Sequence, residues 1–255
     1  MSEGFGDALK EWRKRRRFSQ LQLAGEVGVS SRHLSFLETG RSTPSHEMVL
    51  ALGEFLQIPR REINRMLVIS GYAPVFRDIP LSDEGHSHVN YALDKLLDGH
   101  LPFPALVLNR EWDVVKLNQS ANSLMKEIGF VETVNLIECF LADAPTNSKI
   151  LNWGDTASTL LKRLRYEIDM LGGSARLEKL EKELRSHLVD YNIPIVVDYS
   201  QSTMNTSFLV GGFTLSYFSL VSQMGAILDV TASEYKVELM FPVDDITKQY
   251  HFDRR

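Results

Sequence analysis

The stretch FSQLQLAGEVGVSSRHLSFLETGRSTPS, residues 18–45, reads as two short helices joined by a glycine turn. Ser19 can cap a first helix over 19–26, whose inward residues are Leu23, Ala24 and Val27. Gly28 interrupts the pattern where a tight turn needs a residue tolerant of positive φ. Ser30 is positioned to cap a second helix over 31–39, with Leu34 and Leu37 inward at a spacing of three. Gly40 follows in the usual closing position.

The flanks extend this unit in both directions. Upstream, Phe5, Leu9 and Trp12 recur at helical spacing and predict an amphipathic helix over 5–17. Its end carries five consecutive basic residues, 13–17, which suit the helix dipole and could also attract phosphates. Downstream, TPSHEMVLALGEFLQI offers Thr43 as a cap and Pro44 as the first helical position, followed by a Leu/Phe stripe. PRREINRMLVISGY supplies a fifth helix. The expectation is an all-α five-helix domain over 1–70. It holds 11 Lys and Arg against 8 Asp and Glu, while the remainder holds 17 against 25, within a chain of net charge −5. Such asymmetry points to a polyanion-facing module joined to a domain with a different task.

The combination SQ…LA…GVS…LS.LE.GR..PS resembles the helix-turn-helix of the xenobiotic-response-element type, the class of the phage lambda and 434 repressors. The resemblance implies that 31–39 is the recognition helix, laid in the major groove of double-stranded DNA. It implies base-facing roles for Ser31, Arg32 and Ser35, with Ser30 capping the helix beside them and His33 nearby. Gln20 and Arg41 would hold phosphates. The chemistry of the residues agrees, because Arg32 can form a bidentate pair with guanine O6 and N7 while the small serines permit close approach. A monomeric head offers few base contacts, so a homodimer on a pseudo-palindromic operator is expected.

Bulk properties bound the rest. Hydrophobic residues make up 44% and charged residues 24% of the 255, which is the composition of a folded protein of about two domains. The single Cys139 excludes an internal disulfide and a cysteine-rich zinc site. The sequence shows neither a run of about 18 apolar residues nor the apolar core of a signal peptide, so a cytoplasmic protein without membrane contact is expected. The segment GYAPVFRDIPLSDEGHSH contains turn formers and charge, and reads as a linker over 71–85. His86 and His88 form an H-x-H pair, but without a companion Cys or acid cluster a solvated linker is the better reading, and no metal or cofactor is expected.

Residues 86–250 alternate between periods. A helix over about 87–99 precedes FPALVLNREWDVVKLN, which reads as a β-hairpin with Leu106 and Leu108 on one strand, Val115 and Leu117 on the next, and Asn109 to Glu111 in the turn. Asn118 can cap the next helix. DTASTLLKRLRYEIDML and SARLEKLEKELRSHL are helical, and FTLSYFSLVSQM and YKVELMFPV read as strands. In the last strand Lys236 and Glu238 should face out, and Val237, Leu239 and Phe241 in. The order predicts an α+β domain with one sheet covered on a single face.

GYAPVFRDIPL, PFPALVLNREWDVVKLNQSA, KILNWGDTA and LSYFSLVSQMGAILDVTASEYKVELMFPVDD are similar to the ligand-binding domain of MmyB-like transcription regulators. The resemblance runs over 71–247 and breaks in 190–212. It implies a PAS-like fold that senses a small apolar molecule, with fatty acids the leading class. A cavity between the sheet and the helix at 156–171 would have Leu106, Leu108, Val115, Leu117 and Trp153 among its candidate lining residues. Leu160, Leu164, Tyr217, Leu239 and Phe241 complete the candidate wall. A domain serving only dimerisation is the alternative. An enzyme is not expected, since GxSxG, GxxxxGK and HExxH are all absent.

Overall fold

In the first helical pair the Ser19 hydroxyl accepts from Gln22 N at 3.2 Å while the Gln22 side chain accepts from Ser19 N at 2.8 Å, a reciprocal cap. Ser30 accepts from His33 N at 3.1 Å and starts the second helix in the same manner. Gly28 sits at φ 72° and Gly40 at φ 69°, the left-handed conformations that the turn and the helix end require. A computed structural model describes residues 4–80, 84–130, 135–143, 145–195, 204–224 and 229–254.

The chain forms two units, the first of Met1–Asp78, Glu167–Ser174 and Leu228–Val230 and the second of Ile79–Tyr166, Ala175–Ile227 and Thr231–Arg255. The first contains α1 (Phe5–Arg15), α2 (Gln20–Glu26), α3 (Ser31–Glu38), α4 (His46–Phe55) and α5 (Arg60–Ile69). Phe5, Leu9 and Trp12 of α1 meet Leu23, Leu34, Leu37, Leu52 and Met66 in one buried cluster. Two expected boundaries move. The first helix ends at Arg15, and Arg17 turns left-handed at φ 61°. The fourth helix is capped by Ser45, whose hydroxyl accepts from Met48 N at 3.2 Å, so Pro44 precedes the helix rather than opening it. Ser45 is the residue three positions ahead of a free helix-start amide, the geometry a cap needs.

After these five helices the chain forms, in order, α6 (Ser87–Gly99), β1 (Ala105–Leu108), β2 (Val114–Leu117), α7 (Gln119–Ile128), α8 (Leu136–Ala142), α9 (Trp153–Leu171), α10 (Ala175–Asp190), β3 (Asn205–Val210), β4 (Phe213–Gln223), α11 (Val230–Ser233), β5 (Lys236–Pro242) and α12 (Asp245–Phe252), all in the second unit but for the end of α9 and the first residue of α11. The five strands form one antiparallel sheet in the order β2-β1-β5-β4-β3. First and last strands are thus neighbours in the sheet, and the domain is α+β as expected. Leu106 pairs with Leu117 across the hairpin, and Asn118 caps α7 by accepting from Ala121 N at 2.8 Å.

The sheet is covered on both faces, which corrects the single-face expectation. Ala105, Val107 and Val237 pack with Leu93 and Leu97 of α6. Residues of opposite parity, Leu106, Glu238 and Met240, face a cavity walled by α7, α8 and α9. Lys236 is not solvated either: it is 3% exposed, with its ammonium 4.6 Å from the Trp112 ring centre. α12 closes one end through Tyr217, whose hydroxyl meets His251 Nε2 at 2.6 Å. His86 is buried against Pro80 O at 3.0 Å, where a solvated linker residue was expected. Strand β3 lies inside the stretch 190–212, and its pairing with β4 defines it.

Candidate DNA-reading face and ligand cavity

Leu34, Leu37 and Glu38 turn the inner side of α3 into the first unit and leave the opposite side to solvent. Ser30, Ser31 and Arg32 are exposed, while His33 and Ser35 are half-buried. Arg41 is exposed just beyond the helix. Five of the seven residues expected at DNA thus fall in the cap and first half of α3, and Arg41 follows its far end. Gln20 differs. Its amide donates to Glu38 Oε2 at 2.7 Å, so α2 and α3 are tied together through it.

The basic run 13–17 is divided between two duties. Arg13 is buried and forks onto Glu38, and Arg16 donates to the carbonyls of Leu56 and Gln57 at 2.9 and 3.1 Å. Lys14 and Arg17 are exposed. The burial of Glu38 alone would raise its pKa, but hydrogen bonds from Arg13 and Gln20 outweigh it and hold the carboxyl below its ordinary value. The paired carboxylate raises the Arg13 pKa through the same hydrogen bond. This ion pair joins α1 to the end of α3.

The cavity of the second unit encloses about 550 Å³. Leu124, Ile128, Phe140, Ile150, Phe208 and Met240 give it apolar walls, and Thr156, Thr159 and Leu160 of α9 form one side. Charge is concentrated at one place. Arg163 lies 3.5 Å from Glu238, and its guanidinium carbon is 4.1 Å from the Trp112 ring centre. Trp112 is held at φ 71°, a costly conformation for a bulky residue. Asn109 fixes that turn by accepting from Glu111 N and Asp113 N, both at 2.9 Å. Asn135 adds donation to Glu111 O at 2.7 Å, and Leu136 N donates to Trp112 O at 3.0 Å.

Of the expected lining residues, Leu106 and Leu160 stand in this wall. The others are placed elsewhere. Val115 and Leu239 pack with the α6 cluster, on the opposite sheet face. Phe241 stacks on Phe218 and meets the His100 ring edge-on. Trp153 stacks on Phe140 at 4.7 Å, behind the wall. Leu108, Leu164 and Tyr217 are buried in the core, and Leu117 is half-buried in the hairpin. Leu164 stands one turn beyond Leu160 on α9 and is fully buried, so it packs in the core past the end of the cavity wall.

Residues 5–66 match the family model described as a helix-turn-helix domain. Residues 89–192 match the model described as the MmyB-like transcription regulator ligand binding domain. The chain is a helix-turn-helix transcription regulator with an MmyB-like C-terminal domain. No match was found among curated proteins. The MmyB-like match takes in Leu106, Trp112, Leu160 and Arg163 of this regulator, and ends before β3 to β5. Among the described residues, no helix is long and apolar enough to cross a membrane, and no group of three or more His, Cys, Asp and Glu side chains could hold a metal ion.

Proposed function

We propose that this regulator binds a pseudo-palindromic operator as a homodimer and that a small apolar molecule of the fatty-acid class, held in the 550 Å³ cavity, alters that binding. Ser31, Arg32 and Ser35 read bases, with Ser30 and His33 at the helix start. Gln20 and Arg41 approach phosphates. The cavity carries the ligand half of this reading: it lies within a ligand-binding-type domain and has the roughly 300–1,000 Å³ of small-molecule sites.

Each buried methylene of an acyl chain contributes about 0.8 kcal/mol, so the apolar walls alone support tight binding. Arg163 offers a carboxylate a cationic partner at the polar end, in exchange for its 3.5 Å contact with Glu238. Such a ligand regulates only by favouring one arrangement of the two DNA-reading heads over another, because equal affinity shifts nothing. Binding is the whole activity in this reading, with no catalytic role assigned.

Denaturing mass spectrometry of organic extracts from the purified protein tests the ligand. A stoichiometric acyl compound supports sensing. An empty protein whose operator binding ignores fatty acids of every chain length would leave the second unit as a dimerisation module. Sedimentation on operator DNA tests the symmetry, with half-site centres about 34–36 Å apart expected for a dimer.

A further inference from the structure

Phe36 is an aromatic residue on the wrong side of its helix for a core residue. It lies four positions after Arg32, on the face opposite Leu34 and Leu37. Phe18, Val27, Val29, Met48 and Phe55 supplement the core of the first unit, but Phe36 does not pack against that cluster. It is half-buried, and arginines cover it instead. The Arg32 guanidinium carbon is 5.3 Å from the ring centre and that of Arg41 is 6.0 Å away.

Backbone geometry builds this arrangement. Arg41 N and Ser42 N both donate to Phe36 O, at 2.9 and 3.2 Å, and Gly40 supplies the left-handed turn between them. The chain leaving α3 is thereby folded back so that Arg41 returns over the ring. Stacking on an aromatic face leaves the donor edge of a guanidinium open to a hydrogen-bonding partner. It also removes part of the roughly 2 kcal/mol of rotamer entropy that a free arginine loses on binding.

We infer that Phe36 is a specificity-determining residue: its uncovered edge packs on the C5 methyl of a thymine next to the guanine read by Arg32, and its face holds Arg32 and Arg41 in place. Thymine is the base that presents an apolar group in the major groove, and phenylalanine is a fitting partner for it. The adjacency to guanine rests on the Arg32 role proposed above; the methyl contact does not.

The test uses the full-length protein and an operator obtained by selection from random duplexes. Each thymine of a half-site is replaced in turn by deoxyuracil, which lacks only the methyl. Wild type should lose about fourfold in affinity at one thymine, the worth of one buried methylene. Phe36→Ala should bind the thymine and uracil duplexes equally, and Phe36→Leu should keep part of the difference. A merely structural role would weaken both duplexes alike, and thermal melting of each variant checks the fold. Wild type indifferent to uracil at every thymine, or a difference that persists in Phe36→Ala, overturns the inference. If Arg32→Ala leaves the guanine preference intact while the uracil difference vanishes in Phe36→Ala, the Arg32 role fails and the methyl contact stands.

Discussion

Arg13 Nε reaches Glu38 Oε1 at 2.5 Å while its Nη2 reaches Oε2 at 3.0 Å, closing a fork on a carboxylate whose side chain is 2% exposed. The two residues lie 25 positions apart and belong to the first and third helices. Planar, bidentate pairing is the geometry in which a guanidinium and a carboxylate interact most strongly. Loss of either partner strands the other in a buried site.

Arg13→Ala should therefore destabilise the DNA-binding unit by about 3 kcal/mol or more, the usual consequence of breaking a buried pair. Denaturant unfolding of the variant checks the magnitude. The pH dependence has a definite sign. The folded-state pKa of Glu38 is depressed, so its contribution is present above the ordinary carboxylate range and is lost as pH falls through the lower folded value. Glu38→Gln should flatten that acid limb.

Arg32→Ala should cost about 1–3 kcal/mol at the selected operator and relax preference at one base position per half-site. Arg41→Ala should weaken binding to all sequences more evenly and lower the salt dependence. Gln20→Ala should also weaken binding evenly, but without changing the salt slope because its amide is neutral; it should shift the melting of the first unit as well, because that amide serves Glu38. Full affinity and an unchanged motif for Arg32→Ala would remove the residue from the reading face.

Leu160 stands in the cavity wall, so Leu160→Trp should fill the space and abolish the response of operator binding to fatty acids. The dimer and its basal affinity for DNA should survive. A variant that still binds acyl chains and responds as wild type does would place the ligand elsewhere.

His251 is 8% exposed, between the Tyr217 hydroxyl at 2.6 Å and the Ser120 hydroxyl at 3.2 Å. Burial, assisted by the nearby Arg254 charge, pushes its pKa down to about 4. Burial raises that of Tyr217. The fold thus favours neutral imidazole. Its contribution is complete above the ordinary histidine value of about 6.5 and is lost as pH falls from there towards 4. The second unit should lose roughly 2–3 kcal/mol across that window, and His251→Gln should lose less. Equal slopes for the two proteins in denaturant melts at pH 7.5 and 5 would show the imidazole to be irrelevant.

Local rules made the reading helix legible. Ser19, Ser30 and Gly40 act within a few residues of themselves, and the structure uses each as the chain order suggests. The cavity was much less legible, for a physical reason. Glu238 and Arg163 are charged, and the alternation of apolar and polar residues assigns charge to solvent. Here each charge is accommodated by a distant partner, the other residue or the Trp112 ring. Lys236 misleads in the same way. Phe36 is the converse case, an apolar residue that periodicity does not place in the core and whose stacking on Arg41 depends on a turn five residues later. Strand β3 has little alternation of its own and exists through its pairing with β4.

The third helix keeps two separate sets of side chains. Leu34, Leu37 and Glu38 hold it to its neighbours, whereas Ser31 and Arg32 are exposed and Ser35 lies half-buried beside them. Substitutions at exposed positions away from caps and core generally change stability by less than about 0.5 kcal/mol. If Ser31 and Arg32 read bases as proposed, changes at these two exposed positions would move the regulator from one operator to another without passing through an unstable intermediate. On that reading the frame and the address are separable, and a handful of changes on one helix would redirect the same scaffold to a different operator.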